Sequence, residues 1–172
     1  MLDYTLVSAK ATYRLLTPQD VPLFLRLAQA AWAERQDLPP FDPQRVLATV
    51  KELQPARGKG SVYVFEREQR LAGFCYLVNC WSSAECGTVL VADELYVEPD
   101  FRHLDLAGDF LLLVARVAPQ GSTSIRVELA NTRPRDRRVS AAAYTKLGFR
   151  QSGRDVLSLR IKRSPPSPRR SS

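Results

Sequence analysis

Asp93 and Glu94 interrupt an otherwise apolar run from Thr88 to Val97. Shortly after it comes Arg102-His103-Leu104-Asp105-Leu106-Ala107-Gly108. A carboxylate in a cleft can take a proton from an ammonium group or hold a cation. Two acids on adjacent strand residues point to opposite faces, so only one reaches a given cleft directly. The plainer alternative is that both pair with nearby arginines. A strand feeding a helix also leaves first-turn N–H groups without intrahelical partners, an arrangement suited to anions. Asp105 bears on that site, because as a helix cap its carboxylate would occupy those N–H groups. At ~5 Å and an effective dielectric near ~20 it would oppose a second negative charge by about 3 kcal/mol. That corresponds to roughly a hundredfold in affinity. His103 reads as an exposed turn residue.

The surrounding elements have to position these groups. The strand ends at Glu98-Pro99-Asp100, since proline cannot keep donating to a ladder. Leu106, Phe110, Leu113, Val114 and Val117 recur at helical spacing until Pro119-Gln120-Gly121 stops the helix. Ser124–Leu129 follows with strand composition. The segment Thr88 to Leu129 therefore predicts strand–helix–strand, with a parallel pair and a right-handed crossover. Upstream, Ala11–Leu16 reads as a strand. Thr17-Pro18-Gln19-Asp20 opens a helix with Thr17 as its cap, ending before Pro39-Pro40. Asp42 or Pro43 opens a second helix. Ser61–Glu66 and Leu71–Cys80, across the polar turn Arg67–Arg70, predict an antiparallel hairpin. Trp81–Gly87 reads as a loop, Val139–Leu147 as a short helix closed by Gly148, and Val156–Ile161 as a last strand.

With 172 residues, 45% hydrophobic and 25% charged, the chain fits one domain with a core of its own. The expected division is residues 1–163 as that domain and 164–172 as a disordered basic Pro/Ser tail. No apolar run is long enough to span a bilayer and no signal sequence is visible, so a cytoplasmic location with no membrane partner is expected. The formal net charge is +7, and four positive charges lie in the final segment from Lys162 onward. Arg133, Arg135, Arg137 and Arg138 form a second basic cluster. Neither carries the interleaved aromatics of a single-strand platform, which argues against nucleic acid as a partner. Cys75, Cys80 and Cys86 contain no CxxC pair and there is a single histidine, so no metal site is expected. Cys75 reads as a core residue.

Two motifs in this order of elements resemble the GCN5-related N-acetyltransferase superfamily. Leu95-Tyr96-Val97-Glu98-Pro99-Asp100-Phe101-Arg102 is similar to its central strand and the arginine opening its acetyl-CoA turn. Ala143-Tyr144-Thr145-Lys146-Leu147-Gly148-Phe149 is similar to its late helix and Gly-Phe turn. The resemblance spans Ala11 to Ile161. It implies an α/β (α+β) single domain with a mixed, mostly antiparallel sheet flanked by helices. The acidic pair followed by Leu95-Tyr96-Val97 looks most like the diamine and polyamine branch. The implied reaction moves an acetyl group from acetyl-CoA, as co-substrate, to a primary amine of a small molecule or peptide.

By the same resemblance Asp93 is the base, Glu94 a helper or structural contact, and Tyr144 the general acid toward the departing thiolate. The implied acetyl-CoA site comprises Leu95, Tyr96, Val97, Arg102, His103, Leu104, Asp105, Leu106, Ala107, Gly108 and Asn131. His103 and Asp105 stand where the superfamily usually has glycines. That motivates a second reading, in which the fold serves as a binding module with weak or absent acetyl-CoA affinity. Members of the superfamily are often dimers, so a homodimer is also implied.

Overall fold

The structure, a computed structural model, describes residues 4–35, 38–128 and 141–151. Six strands form one sheet in sequence order. They are β1 (Leu6–Val7), β2 (Thr12–Leu15), β3 (Gly60–Arg67), β4 (Arg70–Ser82), β5 (Gly87–Val97) and β6 (Ser122–Val127). Neighbours run antiparallel except β5 and β6, which are parallel. The crossover between them is α3 (Leu106–Val117), as the strand–helix–strand pattern predicts. The mixed α/β class is thus the one expected.

Two helices cover one face of the sheet and α3 covers the other. On the first, Phe24, Leu27, Ala28 and Ala31 of α1 (Val21–Ala33) and Val46 of α2 (Pro43–Glu52) pack on Val62, Val64, Phe74, Tyr76 and Tyr96. On the second, Leu106, Phe110, Leu111 and Val114 of α3 pack on Tyr13, Tyr63, Phe65, Leu77, Leu90 and Ala92. The Phe110 ring lies 5.0 to 5.5 Å from those of Phe65, Tyr63 and Tyr13. Truncating it to alanine should cost about 3–5 kcal/mol.

Local chemistry fixes the helix starts. Asp42 accepts the Gln44 N–H at 2.9 Å, ahead of Pro43 at the first position of α2. At the entry to α1, the turn Pro18–Asp20 is capped by Thr17 in a capping box with Asp20. The N–H and hydroxyl of Thr17 both donate to Asp20, at 2.8 and 2.7 Å, so the acid reaches back to the threonine. Arg14 also forks onto Asp20, at 2.7 and 3.0 Å, and these bonds hold its carboxyl down at about 2.

The hairpin turn is only Glu68-Gln69, both at positive φ, which matches the twist of the paired strands. β4 continues through Trp81 to Ser82, so the expected loop shrinks to the residues between Ser82 and Gly87. β1 and the 3-10 helix Pro99–Leu104 were not anticipated. Cys75 is buried in the core. Among the late elements, residues 141–146 are helical, here α4. Val156–Ile161, the Arg133–Arg138 cluster, Asn131 and the tail lie outside the described residues. Among those described, no helix is long and apolar enough to cross a membrane.

Candidate active site

β5 divides at Asp93. Up to Ala92 it lies between β4 and β6, with Val89 opposite Ser124 and Ala92 opposite Val127. β6 ends there, while β5 continues to Val97 along β4 alone. Among the described residues, the backbone of 93–97 therefore has no strand on its β6 side. An unpaired strand edge offers N–H and C=O groups to any extended, amide-containing ligand.

The same point carries a β-bulge. Tyr76 pairs with Glu94 and Leu77 with Ala92, so Asp93 is the extra residue with no partner on β4. The bulge inverts the alternation that follows it. Leu90 and Ala92 face α3, and so do Leu95 and Val97, whereas Tyr96 packs with the α1 and α2 cluster. Glu94, between them and opposite Tyr76, shares the α1 side. There its Oε2 accepts from Arg35 Nη1 at 3.2 Å, with the two side chains 20% and 21% exposed. Asp93 is exposed and makes no ion pair among the described residues. Its charge and that of Glu94 are still felt nearby: burial first, then Asp93 and Glu94, push the Cys75 thiol well up. Burial and the same acids raise Tyr76 as well. Gly73 permits this close pairing, since a Cβ there would sit 2.3 Å from the Tyr96 carbonyl oxygen.

Past Val97 the chain turns through Pro99–Leu104 into α3. Arg102 is anchored on the α1 side. Its Nε donates to the Val97 carbonyl at 2.9 Å, its Nη2 lies 2.5 Å from Glu34 Oε1, and its guanidinium stands 5.6 Å from the Tyr96 ring centre. His103 is exposed, Leu104 is half-buried against the α3-side core, and Leu106 is fully buried.

Asp105 does not cap α3 with its side chain. It takes up the left-handed conformation, at φ 53° and ψ 44°, and makes no side-chain bond to the first-turn N–H groups. Aspartate adopts this conformation more readily than most residues, but glycine does so without a Cβ clash. The carboxylate instead lies 3.7 Å from Lys10 Nζ, and both side chains are about half exposed. Lys10 comes from the β1–β2 turn, which is tied to α3 by Ser8 and Tyr13, each donating to Asp109, at 2.5 and 2.6 Å. The expectation that the Asp105 carboxylate occupies the first-turn N–H groups is therefore corrected. Its backbone angle swings the carboxylate off the N–H groups, leaving the charge near them but not the cap.

α4 packs onto this mouth. A Cβ at Gly108 would meet Leu147 Cδ1 at 2.8 Å and Asp105 Oδ1 at 2.6 Å, so glycine is what lets α4 seat on the first turn of α3. Tyr144 joins the α3-side core with Leu95 and Val97, and its ring meets Phe149 edge-on at 5.6 Å. Burial first, then the Cys75 sulfur and the Asp105 carboxylate, push its hydroxyl up to about 12. Of the predicted site residues, Leu95, Val97 and Tyr144 pack on the α3-side core, and Asp105 and Gly108 lie at the first turn of α3 against Leu147. Sequence reasoning missed Glu34, Arg35 and Lys10. The only local signal for the first two was adjacent opposite charges at a helix end.

The acetyltransferase (GNAT) family sequence model matches residues 24–149, most of the chain, from within α1 through α4. The chain belongs to the acetyltransferase (GNAT) family. No curated protein matches it. Solved structures share the fold at low identity. An integron cassette protein from the mobile metagenome of Cole Harbour Salt Marsh is 20% identical, with TM-score 0.71, covering 88% of this chain and 91% of that one. A ribosomal-protein-alanine N-acetyltransferase from Brucella melitensis biovar Abortus is 16% identical, with TM-score 0.68, covering 88% and 99%. The aminoglycoside N-acetyltransferase AAC(6')-Iy in complex with CoA is 18% identical, with TM-score 0.68, covering 90% and 99%. As a family member this chain keeps the sheet and helix order while carrying His103 and Asp105 in the turn before α3.

Proposed function

We propose that this family member is an N-acetyltransferase using acetyl-CoA to acetylate a primary amine. The observation that carries the reading is the opening of β5 beyond Ala92, bordered by the uncapped first turn of α3 and by Tyr144. The residues present fit the co-substrate. Peptide groups of 93–97 can pair with amides of an extended arm. First-turn N–H groups of α3, with Lys10 nearby, can receive phosphate charge. Acetyl-CoA, when bound, supplies the acetyl group activated as a thioester.

The protein's own part is proton handling and orientation. An ammonium cannot attack a carbonyl, so a base must first take its proton. Asp93 is the better placed acid, because it is exposed at the bulge while the charge of Glu94 is partly offset by Arg35. Tyr144 keeps its proton throughout the physiological range. Handing that proton outright to a thiolate of ordinary pKa about 8.5 would be uphill by roughly 5 kcal/mol. Its share is therefore a hydrogen bond to sulfur that strengthens as charge grows there, with full transfer secondary.

A diamine or polyamine acceptor is the finer form of this reading, supported by the acidic pair before Leu95-Tyr96-Val97. The two named neighbours, acting on ribosomal-protein alanine and on aminoglycosides, also use amine acceptors. The test is thiol release from acetyl-CoA with a panel of polyamines, aminoglycosides, lysine peptides and peptides with N-terminal alanine. Turnover with at least one amine is expected. No release above background with any amine, and no heat of acetyl-CoA binding, would overturn the reading. One observation favours the alternative of a binding module: the Asp105 carboxylate beside the α3 mouth. Asp105→Gly separates the two, since it would create acetyl-CoA affinity in a binding module and only strengthen it in an enzyme.

A further inference from the structure

We infer that Arg35 and Glu94 are a positioning pair that sets the bulge presenting Asp93, with Glu94 taking no proton in the reaction. The inference rests on the acetyltransfer reading for its kinetic readout alone. Glu94 reaches the α1 side only because Asp93 is an extra residue in β5. Strict alternation from Ala92 would instead point Glu94 at α3, among Leu90, Ala92 and Phe110, where a carboxylate has no cation beside it. The Arg35 contact rewards the bulged register and penalises the regular one. Both side chains are about four-fifths buried. Losing an ion pair this far buried costs more than losing an exposed one, because the charge that stays is only partly hydrated.

The preceding residue reinforces this arrangement. Glu34 holds Arg102, which also binds the Val97 carbonyl and covers Tyr96. Two consecutive residues at the end of α1, of opposite charge, thus grip two points on either side of Leu95–Phe101, also of opposite charge. A slip of α1 by one residue in one direction would place Glu34 against Glu94, and in the other direction Arg35 against Arg102. Like charges facing one another fix the register by repulsion as well as attraction. Asp93 lies just before the gripped segment and is itself exposed, so it is the acid the pair presents to the opening.

The experiment is a double-mutant cycle on the full chain with Arg35→Met, Glu94→Gln and the two combined, alongside Arg35→Lys. Each single variant should lower kcat about tenfold, with acetyl-CoA affinity within twofold of the natural chain. The combined variant should be no worse than either single one, and Arg35→Lys should recover most of the loss. A Glu94→Gln variant down more than a hundredfold while Arg35→Met stays within twofold would mean that Glu94 acts on the substrate directly. Independent losses that multiply would also overturn the pair. If the natural chain turns over no amine, the acetyltransfer reading has failed separately. The backbone amide shifts of residues 92–95 then decide: movement in Arg35→Met supports the positioning pair and unchanged shifts overturn it.

Discussion

The two halves of β5 differ in every respect that matters for function. Residues 88–92 lie between two strands, and Val89, Leu90, Val91 and Ala92 are all buried. Among the described residues, 93–97 have one neighbouring strand, carry both acids and begin at a bulge. One continuous strand thus serves first as core and then as an open edge, and a single extra residue marks the change. A core strand gains from regular alternation, because every second side chain then finds the same apolar face. An active edge gains from breaking it, because the break turns acids toward groups that regular pairing would deny them.

That contrast can be broken in either half, with different readouts. Asp93→Asn should lower kcat by about a hundredfold to ten-thousandfold, the range for losing a general base. Thermal unfolding should barely move, since the side chain is exposed. Leu90→Ala, only three residues away, should do the reverse. It empties a fully buried site and should cost about 2–5 kcal/mol in denaturant unfolding, with acetyl-CoA affinity in the folded fraction nearly unchanged. Asp105→Gly should tighten acetyl-CoA binding up to roughly a hundredfold in calorimetry. It removes a charge from the mouth and relieves a left-handed conformation at the same time. Tyr144→Phe should reduce kcat about tenfold, the size of one hydrogen bond to a developing charge. Because burial pushes the Tyr144 hydroxyl up to about 12, the natural chain should show no alkaline loss of activity from this group below pH ~11. An alkaline limb between pH 8 and 10 that disappears in Tyr144→Phe would contradict its assignment as a neutral donor.

Much of this fold was legible because its signals are local. Alternation at Ser61–Glu66 and Leu71–Cys80 gave the hairpin. Helical spacing of Leu106, Phe110 and Val114 gave α3, and the prolines at 39, 99 and 119 marked its borders and those of its neighbours. β1 escaped because two residues carry no period. The last two residues of β4, Trp81 and Ser82, escaped because Trp81 is exposed and continues no alternation. The candidate site was legible only as composition, and its residues stand as proposals. Asp93, Glu94 and Tyr144 could be named, but a bulge exists only relative to a partner strand, and no pattern within β5 announces it. The contacts of Arg35 with Glu94 and of Glu34 with Arg102 join segments far apart in sequence. The role of Asp105 was misjudged for a conformational reason. Aspartate before a helix suggests a cap, and only the left-handed backbone angle shows the carboxylate turned toward Lys10.

The most direct test is backbone hydrogen exchange of the full chain with and without saturating acetyl-CoA, read separately over the two halves of β5. Slowed exchange is expected at residues 93–97 and in the first turn of α3, with residues 88–92 unchanged because they are already paired on both sides. Binding that leaves 93–97 unprotected, or no binding at all, would contradict it.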